Sequence, residues 1–244
     1  MDIELLLFAL IVLVAHTAET VAGFGSTILA VTLGALLYPI DSLIPVLVPV
    51  NLLLSFYIVI RYHKFALKDV LVKRILPFVG LGLPFGFAIF YMGTSDLLKI
   101  IFGVFVVIIS CWELYLALIK KQEDALPLSF AKSAIVLFLG GLVHGIYASG
   151  GPMVVYYSSR TIKDKSAFRS TLNMLWLSIN LLLLGAYIVT DKLTEQSLTT
   201  SGLMVFPLVI GILIGEWLHH RIEQKTFRIM VLMLLLVSGV SLFL

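Results

Sequence analysis

Charge is what this chain has least of. Of its 244 residues only 13% are Asp, Glu, Lys or Arg, against about 25% in a soluble globular domain, while 60% are hydrophobic and the mean hydropathy is +1.09. That balance excludes a soluble enzyme or binding domain and requires an integral membrane protein. Cysteine is nearly absent too: Cys111 stands alone beside Trp112 in an apolar run, so no intrachain disulfide can form. A basic start ahead of the first apolar stretch, the mark of a removable signal peptide, is missing; Asp2 and Glu4 stand there instead, and the first segment is expected to be retained. Ten-residue stretches of alternating polarity are lacking, so helices rather than a barrel must satisfy the backbone. A Gly-x-x-x-x-Gly-Lys motif and loops large enough for an ATPase domain are lacking as well, which points any transport function away from nucleotide hydrolysis. The net charge of +3 does not argue for nucleic acid, because the basic residues have a membrane explanation.

What is present is a series of apolar segments at 3–38, 43–60, 75–92, 97–119, 133–158, 170–190, 200–218 and 229–244. Most have the 18 or more residues that cross a hydrocarbon core about 30 Å thick. Two are anomalous. Residues 3–38 are too long for one span and carry a polar interruption, His16 to Ser26 ("HTAETVAGFGS"), that leaves arms of about 13 residues, ~20 Å of helix each and short of a crossing. Residues 133–158 have the same defect at His144 to Pro152 ("HGIYASGGP"). Two short arms meeting at a kinked tip predict a re-entrant hairpin.

Lys and Arg test this expectation, since they gather in cytoplasmic loops. With both long segments as hairpins, the chain starts outside, is outside at 38–42, 93–96 and 190–198, inside at 61–74, 120–132, 159–169 and 219–228, and ends outside. All but Lys99 and Lys192 of the 17 basic residues then lie inside. The two halves, 1–122 and 123–244, each become one hairpin plus three spans of opposite orientation. Residues also match at an offset of 128–130: His16 with His144, Gly23 with Gly151, Pro77 with Pro207, Gly82 and Gly86 with Gly211 and Gly215, Lys99 with Arg228. The expected fold is therefore all-α, a polytopic membrane protein of two inverted-topology repeats. Such repeats hold their solute near the midplane, at N-termini of broken helices.

The residues at the tips suit an anion. Gly23, Phe24 and Gly25 in the first, and Gly150 and Gly151 in the second, let backbone amides turn out of helical bonding. The returning half-helix then presents the positive end of its dipole. Ser26, Thr27 and Ser149 add hydroxyl donors. His16 and His144 stand at equivalent positions on the entering arms and are candidates for substrate contact or proton transfer. Glu19, one turn from His16, is the first candidate for proton coupling; a His16–Glu19 hydrogen bond that pins the tip is the plainer reading. Its offset partner is Tyr147. Asn51 shares a helix with Pro45 and Pro49 and matches either Asn180 by offset or Asn173 by context. Glu113 and Glu216 lie near inner ends of spans, where pairing with basic loops is expected. The Gly82-xxx-Gly86 and Gly211-xxx-Gly215 pairs read as helix-packing motifs.

The stretches "VAGFGS", "ASGGPMVVYY" and "DKSAFRSTLN" (Asp164 to Asn173) resemble the sulfite exporter TauE/SafE family, also called TSUP, over essentially the whole chain. The first tip departs from the glycine-richer form of many members. The resemblance implies a polytopic transporter of small anions, sulfite and short organosulfonates above all, and makes Arg169 and Asn173 a candidate cytoplasmic vestibule. The expectation is a secondary transporter, an exporter working by alternating access. The alternatives are an anion channel and an intramembrane metal-dependent hydrolase built on His16-x-x-Glu19, the latter lacking a His-Glu-x-x-His motif. No cofactor or metal is expected. The expected partners are the small anionic substrate and the lipid bilayer, with any homodimer formed through small-residue helix faces.

Overall fold

The computed structural model describes residues 3–118, 127–219, 221 and 224–243. The expected junction of the halves at 122/123, Asp2, and parts of the loops at 120–132 and 219–228 lie outside the described residues. The described chain is helical, without a strand. Helix α1 (Ile3–Ala22) ends at Gly23-Phe24-Gly25, where Gly23 (φ +85°) and Gly25 (φ +104°) both occupy the left-handed region. Two such residues within three stop a right-handed helix, and Ser26 restarts it as α2 (Ser26–Gly34). Helix α3 (Ile40–Tyr62) carries Pro45 and Pro49 within it. Ser201 donates a hydrogen bond to Val46 O in this proline-interrupted stretch. A 3₁₀ turn (His63–Phe65), the single turn α4 (Lys68–Val70) and a π-helical stretch (Leu71–Ile75) lead into α5 (Leu76–Met92) and then α6 (Ser95–Leu118).

A second break follows further along the chain. Helix α7 (Phe130–Tyr147) stops at Ala148, also left-handed (φ +51°), and α8 (Gly151–Thr161) starts with Pro152 in its first turn. Helix α9 (Lys165–Val189) is capped by Asp164, whose Oδ1 accepts from Ala167 N at 2.7 Å; α10 (Glu195–His219) and α11 (Gln224–Ser241) follow. Among the described residues, seven helical segments have the length and apolarity of a membrane span, α1 and α7 included, whereas α2 and α8, at 9 and 11 residues, are too short. The protein is a multi-pass membrane protein.

The breaks are shorter than the polar residues suggest, and the arms are unequal. His16 to Val21 and His144 to Tyr147 lie inside helices. In the first of these stretches the polar groups are satisfied without unwinding: Thr17 Oγ1 donates to Leu13 O at 2.8 Å, Thr20 Oγ1 to His16 O at 2.7 Å and His16 Nδ1 to Val12 O at 2.8 Å. The expected arms of about 13 residues are thus replaced by a full-length helix of 20 residues (α1) or 18 (α7) followed by a half-length one.

Helices pair in a crosswise pattern: α1 lies against α10, α7 against α5, α3 against α9 and α6 against α11. The glycine pairs sit at two of these crossings. A Cβ on Gly82 would come within 2.1 Å of Phe138 O and one on Gly86 within 2.0 Å of Leu142 O, so α5 and α7 touch backbone to backbone. On α10, Gly211 and Gly215 receive Leu13, Thr17 and Thr20 of α1 at similarly close range. The packing role expected of both motifs holds. Leu6, Leu10 and Val14 on α1, and Phe206, Leu213 and Trp217 on α10, remain exposed, as lipid-facing side chains do.

Candidate functional site

Both helix breaks open onto one small cavity, lined by Gly25, Thr27 and Ile28 from the start of α2, Ala148, Ser149 and Gly151 from the start of α8, and Glu19, Asn51, His144, Trp176 and Asn180. The two tips meet: a Cβ placed on Gly151 would lie 3.7 Å from the Phe24 ring. The first N–H groups of a helix have no intrahelical acceptor, so two positive helix ends face the same space. Among the described residues, no Lys or Arg lines it. Its positive potential is therefore that of backbone dipoles and neutral donors, set against the Glu19 carboxyl in the same lining.

At the first tip the polar side chains satisfy one another. His16 Nε2 lies 2.9 Å from Asn51 Oδ1. Asn51 Nδ2 donates to Thr27 Oγ1 at 2.5 Å, and the Ser26 hydroxyl is placed to donate to Asn51 Oδ1 (2.8 Å) or to Glu19 Oε2. The Ser26 backbone N–H also donates to Glu19 Oε2, at 2.9 Å. Glu19 therefore caps α2 across the break, and the pinning bond expected between His16 and Glu19 does not form; each reaches a different element instead. Because Val12 O fixes a proton on Nδ1, the His16–Asn51 bond forms when the imidazole carries a second proton or when the Asn51 carboxamide is turned over.

The second tip shares the frame and not the filling. His144 Nε2 donates to Asn180 Oδ1 at 2.9 Å while Nδ1 accepts from Gly150 N at 3.4 Å, which defines a neutral tautomer. Asn180 thus does for His144 what Asn51 does for His16. Asn180 is 2% exposed, and its Nδ2 makes no hydrogen bond among the described residues although the residue lines the cavity. Ser149 Oγ turns back to donate to Tyr147 O at 2.9 Å.

Several expected site residues frame the cavity rather than line it. Gly23 O accepts from Trp176 Nε1 at 3.2 Å and from Asn173 Nδ2 at 3.4 Å; Asn173 also donates to Arg169 O at 2.9 Å. Arg169 is 4% exposed, ion-paired with Glu216, and sits over the Tyr62 ring at 4.8 Å, with its backbone against Gly23. Its guanidinium is held by protein, as the expected pairing of Glu216 requires, and does not face the cavity. Tyr62 OH donates to the same Glu216 carboxylate at 2.7 Å. Tyr147 points away: its hydroxyl donates to Leu98 O at 3.0 Å and its ring packs on Phe102 at 4.6 Å. His16, Phe24, Ser26 and Gly150 stand behind the lining residues. Glu113 is buried on α6.

Sequence reasoning missed Trp176. Its indole stacks on His144, with centroids 5.6 Å apart and planes 10° apart, while its N–H holds the carbonyl of the other tip. The near-equal spacing from each histidine to its asparagine, 35 and 36 residues, was a usable signal for Asn180. Among the described residues no group of three or more His, Cys, Asp or Glu side chains comes together to hold a metal ion.

No curated protein and no solved structure matches the chain. The model of one protein family, described as sulfite exporter TauE/SafE, matches residues 7–242, essentially the full length. A polytopic helical chain with two helix N-termini turned on one buried cavity, matched end to end by that model, belongs to the sulfite exporter TauE/SafE family of membrane transporters.

Proposed function

We propose that this protein is a secondary transporter that exports a small oxyanion, sulfite or a short organosulfonate, by alternating access between two inverted halves, 1–122 and 123–244, with both termini outside. The observation that carries the reading is the cavity at the facing N-termini of α2 and α8, with the Asn180 amide, unpartnered among the described residues, in its wall. Main-chain N–H groups at helix ends bind oxyanions without a bulky cation. The crosswise pairing of α1 with α10 and α7 with α5, and the parallel His16–Asn51 and His144–Asn180 bonds, are what an inverted repeat would give. The substrate's contacts are the start of α8, Asn180 and the Thr27 hydroxyl, with the Ser149 hydroxyl held back by Tyr147 O. Gly23, Phe24, Gly25, Asn173 and Trp176 set the tip geometry. Glu19, His16 and His144 are the proton-carrying candidates, His16 because both of its ring nitrogens face acceptors.

Flux of radiolabelled methanesulfonate, and of sulfite in mildly acid buffer where it is mainly the hydrogensulfite monoanion, into proteoliposomes tests this. Saturable uptake that Asn180→Leu reduces at least tenfold is expected. Wild-type protein that is folded and moves none of these anions would overturn it. Unitary currents would transfer the same site to a channel.

A further inference from the structure

One of the two positive helix ends is already occupied by a carboxyl group, and that group belongs to the chain. Glu19, 4% exposed, reaches across the first break so that its Oε2 accepts both the Ser26 N–H and the Ser26 hydroxyl, as a bound carboxylate would at the start of a helix. Its other oxygen makes no hydrogen bond among the described residues, and the residue lines the cavity. Nothing equivalent exists among the described residues of the second tip. At the offset that relates the two histidines, Glu19 falls on Tyr147, which points to α6, and where α2 begins with Ser26 and Thr27, α8 begins with Gly151 and Pro152, which carry no hydroxyl. There the start of α8 and the buried Asn180 Nδ2 are left without an acidic partner among the described residues.

Resting on the reading of this cavity as the anion site, we propose that Glu19 is its specificity-determining residue: a tethered carboxylate that fills the α2 half of the cradle and limits the solute to a single negative charge, bound at the α8 half. A monoanionic oxyanion head gains the α8 N–H groups and Asn180. A dianion meets the same donors but is repelled by the carboxylate more strongly than a monoanion is, across a narrow space where like charges repel more than in water. Neutralising Glu19 with its shape preserved leaves a carboxamide oxygen to accept from Ser26 and removes the repulsion.

Methanesulfonate and sulfate have the same tetrahedral head and differ by one charge, so they are the probes. With Trp112→Phe and Trp217→Phe, both at lipid-exposed positions, Trp176 is the one remaining tryptophan and its fluorescence reports occupancy of the cavity wall. In nanodiscs, methanesulfonate is expected to bind at least tenfold tighter than sulfate in this background. Glu19→Gln is expected to strengthen sulfate about tenfold while moving methanesulfonate less than threefold, and the charge-preserving Glu19→Asp to keep the original preference. Equal binding of the two anions before any change at Glu19, or a ratio unmoved by Glu19→Gln, overturns the proposal; so does a Glu19→Asp protein that has lost the preference. The first comparison needs no substitution at Glu19, which keeps the test decisive if Glu19→Gln fails to fold. Two anions that bind equally and are both transported sink the charge rule alone. A protein that binds neither sinks the anion-site reading with it.

Discussion

The two tips are built on one frame and finished in opposite ways. In each, a histidine one to two turns before the break holds an asparagine on the helix after the hairpin at the same 2.9 Å. In the first tip, Ser26, Thr27 and Glu19 then consume the asparagine amide and the first amide of the returning helix. In the second, α8 begins with Gly151 and Pro152, no acidic side chain caps it among the described residues, and the asparagine amide stays open to the cavity. A closed polar network contributes to stability and fixed geometry, whereas an open buried donor is costly unless something fills it. Equivalent positions in two matched segments therefore need not play the same part. On the proposed function, the first tip holds its shape and the second receives the anion.

The sharpest way to break this comparison is to remove the two asparagines. Asn51→Leu strands His16 and Thr27 together, Ser26 keeping Glu19, and at about 1.5 kcal/mol for each of the two buried groups left unpaired it should cost ~3 kcal/mol of stability, read as a lowered unfolding midpoint in detergent. Comparable thermal loss from Asn180→Leu would erase the distinction between the tips. Next in size is Arg169→Ala, which removes the ion pair beside Gly23 and leaves the Glu216 carboxylate with the Tyr62 hydroxyl as its donor. A loss of about 3 kcal/mol is expected, with Arg169→Lys recovering part of it, by the same thermal measurement. Asn180→Leu itself removes one hydrogen bond to His144, ~1 kcal/mol of stability. Its larger effect is on anion affinity, expected to fall about 10- to 100-fold for a lost hydrogen bond to a charged ligand worth ~1.5–3 kcal/mol. Titration calorimetry separates the two.

The smallest effects come from the backbone. Gly25 and Ala148 are both left-handed, but only one is glycine. Gly25→Ala meets no neighbour within 4 Å and should cost only the conformational term, about 1–2 kcal/mol, while Ala148→Gly should gain up to ~1 kcal/mol. Opposite signs in paired melts would sharpen the comparison.

Much of this was legible in the sequence because it is written locally. Apolar runs marked the spans, Gly23 and Gly25 marked the first break, and the glycine pairs at spacing four marked two helix crossings. The length of α1 was hidden, since His16, Thr17 and Thr20 look like breakers until their bonds to preceding carbonyls are seen. Arg169 read as a guide for anions because Glu216, its partner, lies 47 residues away on another helix. Trp176 read as one more apolar residue on a span; nothing in its neighbours announces that its ring and its N–H serve different tips.

That double engagement of Trp176 has a mechanical consequence. One rigid bicyclic ring lies flat on the imidazole of one hairpin and is hooked to the peptide oxygen of the other, so neither hairpin can swing away without either unstacking the ring or releasing the hook. Parting the hairpins must begin by giving up one of these two weak contacts, and the indole works as a tie-rod whose slack sets how far each can travel alone.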